Sequence, residues 1–450
     1  MAENPGKRAP FVGTTVLDRE NPEFLAKAFD VYAELREHGP VVRAPFSGGI
    51  SERVDKGVQG QPMAAEVPPQ ERLFVTRYDE AVEALLDDRL SSDFRTGLTP
   101  AQRERMAVAM PEELKGIAHS ILMLDPPDHT RLRKLVQPSF TARAMELLRP
   151  RIQHIVDDLL DRAEQAAAGR GERAPERRVN LIEAFAYPMP ITVISDMLGI
   201  PQEDRAQVHE WAERLMRAES PGGRRVDAHT LEGMREFGKY LEVLFERKRQ
   251  APTEDMISQM VQVQDDGDRM SHQEMVSMVF ILFFAGHVTT VNLIGNGVVA
   301  LLTHPEQHAR FLADPAGMAK GFVEETLRYW GPVDFISTPR VALKELELGG
   351  TQVPQGAKVS VGLSSANRDP QQFENPDAFD ISRANAHRNI AFGKGIHVCI
   401  GAPLARLEGQ IAFETLFKRW PKLRLAVPAE ELRWGRAASL RGFSQIPVAF

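Results

Sequence analysis

Cysteine is nearly absent from this chain: Cys399 is the single one in 450 residues. An internal disulfide is therefore excluded, and such sparing use fits a reducing compartment. An excess of positive charge is absent too. The formal net charge is −7, which gives no global reason to expect nucleic acid. Between Met1 and Asn21 there is no apolar run of the kind a signal peptide needs, so the expected location is the cytoplasm, with no membrane partner. Acidic and basic residues are missing from Met275 to Leu302, a length that could span a bilayer. Gly286, His287, Thr289, Thr290, Asn292 and Asn296 interrupt its middle, however. Such a polar cluster suits a helix crossing the interior of a large protein better than one facing lipid. Ser271 and Glu274 form a capping-box signature at its start. At ~1.5 Å per residue the helix reaches roughly 40 Å, enough to cross a domain.

Hydrophobic residues, at 43%, are ample for a large core. Length alone suggests two or three domains. No internal repeat is visible. Strand-like runs are short: Val41 to Arg43, Leu73 to Thr76, and the stretch from Val341 to Val361. The middle of the chain reads as helix. Ser47 to Gln70, Ala168 to Arg178 and Glu219 to Asp227 read as surface loops, the first as an insertion between two early strands.

Cys399 is set in Phe392-Gly393-Lys394-Gly395-Ile396-His397-Val398-Cys399-Ile400-Gly401. Ile400, Leu404, Leu407 and Ile411 then recur at helical spacing, with Pro403 in the first turn. The spacing predicts a helix beginning at Cys399, whose dipole and free N–H groups favour a thiolate. Gly393 and Gly395 permit positive φ and a close approach to a flat partner. An anionic sulfur in such a loop is a metal ligand or a nucleophile, and His397 is a candidate base for the latter.

The pattern F-G-x-G-x-H-x-C-x-G resembles the haem-binding loop of the cytochrome P-450 family, the haem-thiolate monooxygenases. Three further segments resemble family motifs in the family's order. The run Asp125-Pro126-Pro127-Asp128-His129-Thr130-Arg131-Leu132-Arg133 resembles the helix that binds a haem propionate; Asp125 and the prolines are start signals, and His129 and Arg133 share one face. Ala285-Gly286-His287-Val288-Thr289-Thr290 matches A-G-x-[DE]-T-[TS], except that Val288 stands where an acid is usual. Glu325-Thr326-Leu327-Arg328 matches E-x-x-R, with Arg383 following Phe379-Asp380.

The resemblance implies a mainly α cytochrome P-450-like fold with a smaller β-rich part, as one large domain over residues 21–450 behind an arm of residues 1–20. It implies haem b, with Cys399 as axial ligand and Phe392 and Gly393 beside the sulfur. His129, Arg133, Arg340 and His397 would receive the propionates. Thr289 would assist proton delivery to oxygen, Ala285 and Gly286 would leave space above the iron, and Val288 puts the usual proton supply in doubt. Glu325, Arg328 and Arg383 would form a buried network supporting the Cys399 loop. Ala366-Asn367-Arg368-Asp369-Pro370 reads as a turn without chemistry.

The implied reaction inserts one atom of dioxygen into an apolar molecule, by hydroxylation or epoxidation. The substrate would be a polyketide, terpenoid, steroid or fatty acyl compound, and electrons would come from a ferredoxin and its reductase. Arg131, Lys134, Lys394 and Arg406 are expected to meet the ferredoxin. Pocket walls are expected from Phe284, Val333, Ile336 and Phe443, and from the segment holding Met106, Val108 and Met110. The competing readings are a haem-thiolate protein that binds a ligand without turnover and a peroxide-driven enzyme.

Overall fold

Helix dominates the computed structural model, which describes residues 9–10, 12, 16–18, 21–46, 70–168, 177–218, 228–262, 270–336, 338–435 and 439–450. The insertion at 47–69, most of the loop at 168–178 and the loop at 219–227 lie outside the described residues. In chain order, the elements that matter for the site begin with α1 (Pro22–His38), β1 (Val41–Phe46), β2 (Gln70–Val75), α2 (Tyr78–Leu86) and β3 (Leu90–Ser91). Then come α3 (Asp128–Val136), α4 (Ala142–Ala168), α5 (Pro188–Leu198), α6 (Arg205–Ala218), α7 (Ala228–Gln250) and α8 (His272–Leu302). The chain closes with α9 (Pro315–Trp330), β4 (Arg340–Ala342), β5 (Lys358–Val361) and α10 (Ala402–Arg419).

The strands gather in one main sheet of order β1-β2-β5-β4-β3. β1 and β2 run antiparallel, with Val41 opposite Val75. β2 and β5 run parallel, with Leu73 opposite Val359. The arm adds to this edge: Val12 N donates to Arg43 O at 3.0 Å and Leu17 N to Pro45 O at 2.8 Å. Val12 and Leu17 are buried there. Of two smaller sheets, one pairs Leu346–Leu348 with Thr351–Val353, inside the strand-like stretch from Val341 to Val361, and the other uses strands that the sequence pattern leaves unmarked, among them Arg178–Asn180 and Pro447–Ala449. These are three-residue segments, too short to show an alternation.

α8 is the axis of the helical part. Both halves of its capping box are present, Ser271 accepting from Glu274 N and Glu274 accepting from Ser271 N. Among the described residues it is the one helix long and apolar enough to cross a membrane, but more than half of its most apolar stretch is buried. It packs on α5, α9 and α10. Small residues make this possible. A Cβ on Gly297 would run into the Phe413 ring of α10, and one on Gly409 would lie 3.0 Å from Val323 of α9. The polar residues of α8 are used inside the fold: Asn296 Nδ2 donates to Trp330 O at 2.9 Å and to Arg441 O at 3.0 Å.

Candidate active site

The Cys399 loop is held by its own backbone. Cys399 N donates to Phe392 O at 2.9 Å, and Val398 N to Gly395 O at 3.1 Å. Gly393 and Gly395 have φ of +71° and +73°, and a Cβ on Gly395 would sit 2.6 Å from Leu85 O at the end of α2. The helix after the loop starts at Ala402, with Gly401 as its N-cap residue and Pro403 in its first turn. The expectation that it begins at Cys399 is corrected: the Cys399 N–H is spent on Phe392, which keeps Cys399 outside the helix. The sulfur still faces the helix end, where the Gly401 and Ala402 N–H groups stabilise its anion.

A second correction follows. Burial outweighs those N–H groups and the nearby Arg133 and Arg406, and pushes the Cys399 thiol above its usual range. Cys399 is nonetheless exposed at its surface. Deep placement with an open face puts it on the wall of an internal cleft, not in packed core.

Beside the loop, four basic side chains converge. The His129 and His397 rings lie 4.2 Å apart between centroids, inclined at 51°. Arg133 Nη1 donates to Ile396 O at 3.0 Å, and the buried Arg340 reaches Ser92 Oγ. Burial, then Arg340, His129 and Arg133, drive the His397 pKa down to about 3. Burial and Arg133 lower His129 as well, against the pull of Asp125. His129 Nδ1 and His397 Nε2 are buried without hydrogen-bond partners. Orphaned buried polar atoms cost about 1–3 kcal/mol each, and crowded cations call for anions. Two carboxylates entering here would answer both demands, so these residues fit a haem carrying two propionates. Asp125 itself does not start the helix, which begins at Asp128; its carboxylate accepts from Ser92 N at 2.9 Å and from the Ser91 hydroxyl.

On α8, Ala285 is exposed although Phe283 and His287 beside it are buried, so that turn opens onto internal space. Thr289 Oγ1 donates back to Ala285 O at 2.8 Å, and Thr290 Oγ1 to Gly286 O at 3.4 Å. Thr290 also acts on a residue that the motifs miss. Glu408, on α10, is 1% exposed with both carboxyl oxygens unpartnered. Burial raises its pKa well above the ordinary carboxylate range, and the Thr290 hydroxyl opposes this. The signal was present: Glu408 falls on the apolar stripe of Leu404, Leu407 and Ile411.

Glu325, Arg328 and Arg383 lie together in a buried ion-pair network. Arg328 donates to both oxygens of Glu325, at 2.8 and 2.7 Å, and Arg383 Nε to Glu325 Oε1 at 3.3 Å. Arg328 also binds the carbonyls of Pro376 and Ala378 at 2.7 and 2.9 Å. The segment after Ala366 is a turn, but not an idle one. Asn367 Oδ1 accepts from Ile390 N at 2.8 Å, and Arg368 binds Tyr329 O and Asp377. Glu324, missed in the sequence, ties α9 to the loop: it accepts from Arg406 at 2.5 Å and from Asn389 Nδ2 at 2.9 Å. Arg406 meanwhile lies over the Phe392 ring at 4.6 Å.

Arg406 is thus committed to the fold. Arg131 is too, pairing with Glu274 at 2.5 Å and Asp128 at 3.1 Å. Neither is the loose surface cation expected for a partner, whereas Lys134 is exposed and Lys394 half-buried. Of the pocket residues, Phe284 is half-buried and stacks on Phe280 at 4.4 Å. Val333 and Ile336 are half-buried. Phe443 is turned into an aromatic stack, 4.0 Å from Trp434. Val108 is 84% exposed and Met110 buried, so the segment does not present both to one wall.

The family model described as Cytochrome P450 matches residues 318–423. The chain is similar to "Cytochrome P450 107B1" of Saccharopolyspora erythraea, 44% identical over 83% of this chain and 88% of that protein. It is 38% identical to "6-deoxyerythronolide B hydroxylase" of the same organism, over 97% of this chain and 99% of that one. Among solved structures, the bacillaene polyketide synthase cytochrome P450 PksS of Bacillus subtilis superposes with a TM-score of 0.79 at 34% identity, covering 96% of this chain and 99% of that one. Identity at this level, sustained along nearly the whole length and joined to the cysteine loop, the basic cluster and the α8 turn, makes the chain a member of the cytochrome P450 family, a monooxygenase.

Proposed function

We propose that this monooxygenase holds haem b through Cys399 Sγ and hydroxylates or epoxidises an apolar secondary metabolite of the polyketide class. Electrons would come from a ferredoxin and its reductase, in the cytoplasm. Residues 21–450 would act as one domain behind an arm of residues 1–20, of which Val12 and Leu17 hydrogen-bond to β1. The observation that carries the reading is the pairing of an open, deep cysteine with a buried cationic cluster whose imidazoles lack partners. The substrate class rests on the relatives' names, which include a deoxyerythronolide hydroxylase and a polyketide biosynthesis enzyme. It also rests on Phe280, Phe284, Val333 and Ile336, half-buried apolar side chains near the turn at Ala285 or the main sheet.

Haem, when bound, supplies the activation of dioxygen. The rest falls to the chain. Arg133, Arg340, His129 and His397 would hold the two carboxylates. The N–H groups of Gly401 and Ala402 stabilise charge on Cys399 Sγ, while Phe392, clamped by Arg406, shields it from water. Ala285 and Gly286 add almost no side-chain volume to their turn of α8. Thr289 Oγ1 holds a proton one helical turn above Ala285 O; breaking that bond frees the hydroxyl to pass the proton on. Glu325, Arg328 and Arg383 hold the segment leading into the loop.

An optical titration of the holoprotein against macrolactones, linear polyketides, terpenoids, steroids and fatty acids tests the substrate class. A spin-state change with polyketides, followed by oxygenated product with a ferredoxin and reductase, is expected. Responses confined to steroids or fatty acids would overturn the class, and binding without product would overturn turnover.

A further inference from the structure

Asp334 and Arg441 form a fully buried ion pair outside the haem-binding and oxygen-activating groups. Arg441 Nε and Nη2 donate to the two Asp334 oxygens at 2.7 and 2.9 Å, and both side chains are 0% exposed. The pair sits behind a short ladder. Val333 lies opposite Leu440 in an antiparallel bridge, with Asp334 N donating to Ser439 O at 2.9 Å and Arg441 N to Pro332 O at 2.8 Å. Successive side chains of an extended strand point to opposite faces. Asp334 and Arg441 therefore share one face of the ladder, and Val333 and Leu440 the other. The charged face is the buried one, whereas Val333 and Leu440 are half-buried. An apolar face left open in front of a buried charged one suits the wall of an internal cleft. Its neighbours agree. Asn296 of α8 donates to Arg441 O at 3.0 Å, and a Cβ on Gly442 would collide with the Asn292 amide. Asn292 shares the α8 face of Ala285 and Thr289, and Arg340 of the cationic cluster lies a short way along the chain from Asp334.

We propose that Asp334 and Arg441 are a positioning pair that determines specificity: they fix Val333 and Leu440 against α8 and so set the bulk of apolar substrate that the cleft accepts. This rests on the monooxygenase reading above. A buried ion pair is a poor way to gain stability, since apolar residues of similar volume often serve as well or better. Its distinctive property is geometry, because a forked guanidinium–carboxylate contact admits one register and one separation. Each end is anchored separately. Asp334 also accepts from the Ser364 hydroxyl at 2.8 Å and the Tyr32 hydroxyl at 3.3 Å, which ties it to the segment after β5 and to α1. The Arg441 guanidinium lies 4.5 Å from the Phe29 ring centroid and 4.8 Å from that of Trp434, and Trp434 stacks on Phe443. A wall fixed in this way is preorganised, so a bulky ligand seated against it loses little free energy in ordering it. A small ligand that reaches only the iron does not depend on it.

Optical titration of the haem-loaded protein with imidazole and with econazole, a bulky aryl imidazole, tests this. Both bind iron, and they differ in how far they fill the cleft. The double variant Asp334→Leu with Arg441→Met fills the volume without the forked contact. In it, econazole affinity should fall about fivefold or more while imidazole affinity stays within about twofold, the loss expected when a preorganised wall must be ordered by its ligand. Arg441→Lys keeps the charge but not the fork, and should shift the two affinities apart in the same direction. Wild-type affinity ratios in both proteins would overturn the proposal. Equal weakening of both azoles, or loss of haem from both proteins, would overturn it too, by making the pair a support for the fold alone. A wild-type protein whose absorption imidazole does not shift would instead contradict the haem reading, and the proposal would fall with it.

Discussion

At the scale of the residue, His397 and His129 are held neutral by burial and by the two arginines beside them. A histidine whose folded pKa is depressed lends stability above its ordinary pKa of about 6.5 and withdraws it as pH falls, because the unfolded chain binds the proton first. The apoprotein should therefore lose stability steadily from about pH 6.5 down toward 3, the value of His397. His397→Gln should flatten that slope, as urea unfolding across the range would show; an unchanged slope would contradict the electrostatic picture. Thr289→Ala removes the hydroxyl on Ala285 O and is expected to lower product per reducing equivalent severalfold while leaving substrate binding alone. Cys399 was legible in the sequence because its chemistry and its glycine setting are both local. Glu408 was not noticed, because a lone Glu in a helix reads as solvated until its phase against Leu404 and Ile411 is followed.

At the scale of the element, close approach governs α8. Gly297→Ala puts a methyl group into the Phe413 ring, and such overpacking is destabilising by about 1–3 kcal/mol; thermal unfolding should report it, while Gly238→Ala, whose Cβ meets nothing, should cost nothing. The Glu325–Arg328 pair is fully buried. Glu325→Ala leaves Arg328 charged and unpaired, a loss of about 3–5 kcal/mol, and should yield protein that loads haem poorly. The capping box placed the start of α8 correctly because its two hydrogen bonds are encoded by residues three apart. The start of α10 was misplaced by three residues because the Cys399 N–H turns back to Phe392, a bond that helical periodicity cannot show. The three-stranded sheet that includes Pro447–Ala449 escaped for a related reason. Pro447–Ala449 joins Arg178–Asn180 across most of the chain, and neither segment announces itself alone.

At the scale of the whole molecule, segments from distant parts of the sequence meet at the Cys399 loop: α3 through Arg133 and His129, and α9 through Glu324 and Arg406. Their order in the sequence identified the family, while the ion pairs that consume Arg131 and Arg406 needed the fold. A ferredoxin approaching the Cys399 side is thus expected to find Lys394 more than those arginines. Raised salt should slow electron transfer, Lys394→Glu should slow it severalfold, and Arg406→Lys should act through loop stability instead. The account as a whole depends on Cys399 Sγ gripping the haem iron as an anion. The absorption spectrum of the reduced, carbon monoxide-treated holoprotein reads that bond directly: a thiolate-type band in the wild type, lost in Cys399→Ser, is predicted. An imidazole-type band in the wild type, or the same spectrum in both proteins, would contradict it.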